Sequence, residues 1–293
     1  MGRNGTVDRD LTYATVDGVD LRLDLYRAGP PASTTADGGS PVVVYVHGGG
    51  WTHGDRTAEA ETRLAPMAAQ GVTVASIDYR LAPDAVFPAQ LHDVEAAVRW
   101  LRATGPELGL RTDRIGVWGA SAGAYLVSLL ALSSPELVQA VVHWFGQADL
   151  AATAGRTALE ARLLPFHFEQ DLLGPEPRTP AEALSLLDHI PARTAIVRDE
   201  ERRDAGPTGL PPFLIAHGDR DRIVPPAEGL ALHDALVRAG HSSRFELLGG
   251  AGHEDPAFDS PAHLATTAAW LRAVLSPPTG RSGTSGRSVA RPR

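Results

Sequence analysis

The stretch Arg114–Leu130, RIGVWGASAGAYLVSLL, joins a strand-like run to a helical one through a handful of small residues. At the junction, Gly119-Ala120-Ser121-Ala122-Gly123 matches the pattern GxSxG. Five residues can match by chance, so the context decides: the pattern has meaning where it follows a strand, opens a helix, and turns sharply enough to expose the serine hydroxyl. Both flanks meet that condition. A serine at a helix N-cap is an ordinary reading as well. It accounts for Ser121 but for neither glycine, whereas a strained serine with neighbouring chain in contact requires small residues at 119 and 123.

Working outward, the same alternation of strand and helix runs along the chain. Apolar strand-like runs lie at 42–46, 72–77, 114–119, 137–145, 212–218 and 243–249. They lack polar alternation, which is the mark of strands buried on both faces of a mostly parallel sheet. Two shorter segments, 11–16 and 21–26, flank Asp17-Gly18, a hairpin turn pair, and predict an antiparallel N-terminal edge. Helical periodicity covers 57–70, 88–102, 122–133, 227–239 and 260–275. In 88–102, PAQLHDVEAAVRWLR, Leu91, Val94, Val98 and Leu101 form one apolar face and Pro88 suits the first turn. The expectation is an α/β fold: an eight-stranded, mostly parallel sheet with helices on both faces, in a single domain over 1–275. Residues 149–210, rich in Pro, Arg and Glu, read as a small lid-like insertion above the strand ends. Residues 276–293, with four arginines and almost nothing to bury, read as a disordered tail.

Composition narrows the function classes. The 293 residues are 43% hydrophobic, enough for a large core. A formal net charge of −8 argues against a nucleic-acid or anionic-membrane surface as the main partner. There is no cysteine, which excludes disulfides, thiolate metal sites and cysteine nucleophiles, and every Lys/Arg-type cation is arginine. The opening MGRNGTVDRD has no apolar core of a signal peptide, and no segment approaches the roughly 20 apolar residues of a membrane span. A cytoplasmic location is the expectation, with oligomeric state left open.

A serine hydroxyl is a weak nucleophile and needs a base, which in turn needs an orienting group. In open α/β sheets such groups collect beyond the carboxyl ends of strands. PFLIAHGDRDRIVP (212–225) offers His217, Asp219 and Asp221, and SRFELLGGAGHEDP (243–256) offers His253 with Glu254 and Asp255 behind it. The order Ser121, Asp221, His253 is the one expected of an α/β-hydrolase. Asp219 is a rival for the acid role; His217 and His47 are read as structural, and Asp78, Tyr79 and Arg80 as a brace behind a strand. PVVVYVHGGGW (41–51) places three glycines where a strand ends. Backbone N–H groups of Gly49 and Gly50, beside that of Ala122, suit a developing oxyanion that side chains would obstruct. A phosphate loop would instead require a following lysine or spaced glycines, and neither is present. Trp51 is expected to contact substrate at the pocket wall beside the glycine loop, with a place in the buried core as the alternative reading. Phe166 and Phe168 could contact an acyl or aromatic group, or pack.

Taken together, HGGGW, DYRLAPDAVFPAQLHDVEAAVRWLR, DRIGVWGASAG, AVVHWFGQADL, HGDRDRIVP and GAGHED resemble the bacterial esterase/lipase group of α/β-hydrolases, near its hormone-sensitive-lipase-like and feruloyl-esterase-like members, over about residues 10–275. The resemblance implies Ser121 as nucleophile, His253 as general base, Asp221 as the orienting acid, and Gly49, Gly50 and Ala122 as oxyanion donors. It implies carboxylic ester cleavage through an acyl-enzyme, a small-molecule ester as partner, and no metal or organic cofactor. Amide cleavage and acyl transfer use the same groups and stay open here, as does a non-catalytic binding protein on this fold. The chain departs from the commoner pattern at Ala124-Tyr125, where Gly-His often follows GxSxG, and in the charged segment near 198–206.

Overall fold

A computed structural model describes residues 6–29, 40–150, 168–174, 185–191 and 209–276. Phe166, most of the expected insertion and the expected tail from 277 onward lie outside the described residues. Among the described residues eight strands form one sheet: β1 (Val7–Val16), β2 (Val19–Tyr26), β3 (Pro41–Val46), β4 (Thr73–Ile77), β5 (Arg111–Ala120), β6 (Ala140–Trp144), β7 (Phe213–Gly218) and β8 (Ser243–Leu248). Their spatial order is β1-β2-β4-β3-β5-β6-β7-β8. Strands β3 to β8 pair in parallel, while β2 pairs antiparallel with both β1 and β4, so β2 alone runs against the rest. All eight expected strands are present, shifted by a few residues at their ends.

The lack of polar alternation has the expected cause. Every residue of β4, β6 and β7 is buried, and β3 is buried from Val42 onward, because helices cover both faces. On one face Val42, Val44, Val46, Ile115, Val117 and Val141 pack against α2 (Ala89–Thr104), α3 (Ala122–Ser133) and α5 (Pro226–Arg238). On the other, Val43, Tyr45, Trp118 and Trp144 meet α1 (Ala65–Ala69) and α6 (Pro261–Leu275). Burial of each such side chain is worth about 1.5–3 kcal/mol, so a polar residue at these positions would be costly on either face. The edge strands β1 and β8 are mostly half-buried or exposed, as strands with an uncovered side are.

Two local features differ from the periodicity. The helix expected over 57–70 opens as a π-helical turn, Ala60–Leu64, before α1. Pro66 has no N–H for the regular ladder, and the amides of Leu64 and Ala65 reach back five residues, to the carbonyls of Glu59 and Ala60. The wide turn carries Arg63 inward, where it is 1% exposed. Pro88 sits at the N-cap of α2 rather than inside its first turn. From the expected insertion, the described pieces are α4 (Phe168–Leu173), a single 3₁₀ turn Leu186–His189 and a bridge between Asp149 and Ser185.

Candidate active site

Ser121 lies between the end of β5 and the start of α3, with φ 52° and ψ −118°. That backbone is strained for a residue with a Cβ, and the side chain makes no capping hydrogen bond to α3. The N-cap reading is thereby set aside: the hydroxyl is turned away from the helix. Both flanking glycines are required by close approach. A Cβ on Gly119 would collide with the backbone of Gly123, and one on Gly123 with the Val46 carbonyl. Ser121 is buried, with 8% of its surface exposed.

Ser121 Oγ is 3.0 Å from His253 Nε2, and His253 Nδ1 is 2.7 Å from Asp221 Oδ2. A carboxylate only accepts, so Nδ1 carries the proton and Nε2 is the free base facing the hydroxyl. His253 comes from the loop after β8 and Asp221 from the turn after β7, both at the carboxyl edge of the sheet. Asp221 is buried, and its Oδ1 accepts the amides of Ile223 and Val224, each at 2.9 Å. Burial alone would raise its carboxyl. Hydrogen bonds from His217 and His253, the His253 charge and the Val224 amide outweigh that and hold it far below the usual carboxylate range. Asp219, the rival acid, is exposed and accepts the Gly250 amide at 2.6 Å instead.

The glycine loop runs alongside. Gly49 has φ 100° and Gly50 φ 57°; a Cβ on the first would collide with the His53 carbonyl, and one on the second would lie 2.5 Å from the Phe168 ring on α4. Among the described residues the amides of Gly49, Gly50 and Ala122 donate to no protein acceptor. His47 braces this loop from below: its ring stacks on Tyr79 at 4.4 Å, its Nδ1 is 2.8 Å from the Gly48 carbonyl, and burial lowers its basicity. Asp78 and Arg80 are tied to Arg56 and Asp93, as a brace requires.

Trp51 is placed differently from the expectation of a substrate contact. It is fully buried, its indole N–H donates to the Ala122 carbonyl at 3.1 Å, and its ring meets Tyr125 edge-on at 5.9 Å. With φ 63° the residue turns into the core, so it fastens the glycine loop to the serine turn and has no surface left for a ligand.

Three neighbours of the site have contacts that the sequence does not signal. Phe145, with φ 40°, sets its ring edge-on to His253 at 5.1 Å and is backed by Phe258 at 4.5 Å. Glu254, with φ 52°, directs its carboxylate to Gly48, where a Cβ would lie 2.9 Å from Oε1. Arg63 reaches Asp259 at 2.6 and 3.1 Å and Tyr45 Oη at 2.8 Å, latching the loop after His253 to the π-helical turn. Only contacts between remote segments reveal these roles. No group of three His, Cys, Asp or Glu side chains among the described residues is arranged as a metal site, and no described helix is long and apolar enough to cross a membrane.

With this geometry in place, comparison with known proteins adds lineage. The family model BD-FAE matches residues 23–236. Esterase LipC of Mycobacterium tuberculosis is 32% identical over 234 residues, covering 73% of this chain and 53% of that protein. Carboxylesterase NlhH of the same organism is 32% identical over 210 residues, 69% of this chain and 62% of that one. The chain thus spans about half to two-thirds of the length of these curated relatives. Among solved structures, a truncated carbohydrate esterase from gut microbiota superposes with a TM-score of 0.73 at 23% identity, covering 93% of this chain and 98% of that one. The esterase Est2 of Thermogutta terrifontis superposes with a TM-score of 0.66 at 24% identity, covering 94% and 95%. Likeness at that level of identity speaks for the fold.

Proposed function

Since the chain belongs to the BD-FAE family and has the α/β-hydrolase fold, we propose that it is a carboxylic ester hydrolase working through an acyl-enzyme on Ser121. The observation that carries the reading is the unbroken line from Ser121 Oγ through the His253 imidazole to Asp221, at 3.0 and 2.7 Å, beginning at a serine held in a strained turn. Relatives named as esterases support it.

In this mechanism Ser121 Oγ attacks the ester carbonyl carbon as its proton passes to His253 Nε2. The carbonyl oxygen becomes an oxyanion, received by the amides of Gly49, Gly50 and Ala122. One such donor is worth about 2.7–4 kcal/mol in the transition state. The imidazolium returns the proton to the leaving alkoxide oxygen as the C–O bond breaks, releasing the alcohol and leaving Ser121 acylated. Water then attacks the acyl carbon, giving its proton to His253, and collapse of the second oxyanion restores Ser121 and frees the acid. Asp221 stays ionised throughout and steadies the imidazolium.

The test is turnover of a series of p-nitrophenyl esters of increasing acyl length, beside an N-formyl aryl amine, by the wild-type chain and by Ser121→Ala. Ester turnover that disappears with the serine is the expected result. Amide turnover exceeding it would move the chain to the amidases, and undiminished activity in Ser121→Ala would overturn the reading.

A further inference from the structure

His217 stands at the end of β7 with its ring fully buried. Its Nε2 lies 2.9 Å from the Val224 carbonyl and 3.3 Å from Asp221 Oδ2, the oxygen that His253 Nδ1 approaches at 2.7 Å. Two imidazoles therefore converge on one carboxylate oxygen. Carbonyl and carboxylate oxygens can only accept, so the His217 proton sits on Nε2 and is shared between them. Nδ1 is buried with no hydrogen-bond partner and faces Gly229, where a Cβ would lie 2.8 Å away, in a corner also occupied by Ile215 and Phe245. An N–H at Nδ1 would be a buried donor without an acceptor. The ring is a fixed donor, in contrast to His253, which must gain and lose a proton in each half-reaction.

The surroundings offer His217 no other acid among the described residues. His143, on β6, is the other imidazole beneath the site, and it is engaged by Ser128 Oγ at 2.9 Å and the Gly146 carbonyl at 3.1 Å. Glu228, beside Gly229 on α5, accepts the amides of Ala148 and Asp149, each at 3.0 Å. β8 contributes the apolar Phe245. On Asp221 the two oxygens are thus treated differently. Oδ1 is pinned by two amides, whereas Oδ2, the one that does chemistry, would have His253 as its sole donor if His217 were absent.

We propose that His217 is a positioning residue of the hydrolytic site: it acts through Asp221, as a permanent second donor that keeps Oδ2 aimed at His253 while the imidazole cycles between neutral and charged. This rests on the acyl-enzyme reading above. It assigns to the His-Gly at the end of β7 a part in catalysis beyond closing the turn on Val224.

The experiment is the rate of covalent labelling of Ser121 by a fluorophosphonate, which needs no knowledge of the substrate, for the wild type, His217→Phe and His217→Gln. Gln can place a side-chain N–H near the position of Nε2, and Phe cannot. The maximal labelling rate of folded His217→Phe is expected to fall about 10- to 100-fold, the scale of one hydrogen bond to a charged group, with the half-saturating probe concentration unchanged. His217→Gln should recover most of the loss. A His217→Phe protein whose labelled fraction shrinks but reacts at the wild-type rate would reduce His217 to a packing role and overturn the proposal. Should both variants fail to fold, ¹⁵N NMR of the wild type decides: a ring protonated on Nε2 and bare on Nδ1 supports the assignment, and protonation on Nδ1 overturns it. A wild-type chain that is not labelled at Ser121 at all would instead bring down the acyl-enzyme reading, with His217's role along with it.

Discussion

The indole N–H of Trp51 donates to the main-chain carbonyl of Ala122 across 3.1 Å, joining two segments 71 residues apart. Trp51 ends the glycine loop and Ala122 follows Ser121, so this one bond links the two halves of the proposed oxyanion site. Replacing Trp51 by Phe keeps much of the ring and removes the donor. kcat is expected to fall about fivefold with KM little changed, since one hydrogen bond contributes roughly 1 kcal/mol and the loop it fixes acts on the transition state. A change confined to KM would instead mean that Trp51 contributes to substrate binding.

The two aspartates after β7 make a paired prediction. Asp221→Asn keeps the shape but can present N–H to His253 Nδ1, favouring the wrong tautomer, and kcat should fall about 10³- to 10⁴-fold. Asp219→Asn touches only the exposed contact to Gly250 and should stay within about threefold of wild type, as surface changes usually do. Steady-state kinetics of both variants on one ester checks the assignment of the acid.

Gly50→Ala tests the glycine loop. The new methyl would meet the Phe168 ring at a backbone φ of 57°, so the loop must shift or the ring must leave. Either displaces a proposed oxyanion donor, and a loss of about 10²-fold or more in kcat is expected. Thermal unfolding measured alongside should change little by comparison; a variant that merely unfolds would carry no message about the loop.

Much of this architecture was legible before any coordinates. β3, β4, β6 and β7 are covered on both faces, and a strand in that position has no polar residues to interrupt its pattern. The serine, acid and histidine follow β5, β7 and β8 in order, because these parallel strands all end at the same rim. What stayed hidden depends on backbone angles and on remote partners. Trp51 reads equally as pocket wall or core until its φ of 63° turns it toward Ala122. The π-helical turn arises where Pro66 withholds a donor from a segment that is otherwise periodic. Arg63, read along the chain, is one more helix arginine; only folding brings it to Asp259, 196 residues away.

That last pair supports a stability prediction. Arg63 is almost wholly buried, and its two contacts to Asp259 and one to Tyr45 leave little of its charge unanswered. Arg63→Met would leave Asp259 largely buried without its partner, which costs about 3–5 kcal/mol. Arg63→Met combined with Asp259→Asn should be less destabilised than the sum of the two single changes. Urea unfolding of the four proteins measures the coupling, and strict additivity would contradict it.

Stability should also fall in mild acid. Burial pushes the His143 imidazole down from an ordinary value of 6.5 to about 4, and that of His263 likewise to about 4. As pH drops through 6.5 the unfolded chain takes up these protons and the folded one does not, so stability is full above 6.5 and declines toward 4. Below 4 the folded rings are protonated too and add no further loss. For His143 the whole span is on the order of 3 kcal/mol. Thermal midpoints of His143→Gln should therefore depend less on pH between 4 and 6.5 than those of wild type, and parallel curves would contradict the account.

The central claim, that Ser121 is acylated and His253 drives both halves of the reaction, is tested most directly by mass spectrometry of the enzyme quenched during turnover of a slowly deacylated ester. The account predicts a mass increase equal to one acyl group, located on the peptide carrying Ser121, and absent from both Ser121→Ala and His253→Ala under the same conditions. Turnover with no adduct on Ser121, or an adduct on another side chain that persists in Ser121→Ala, would contradict it.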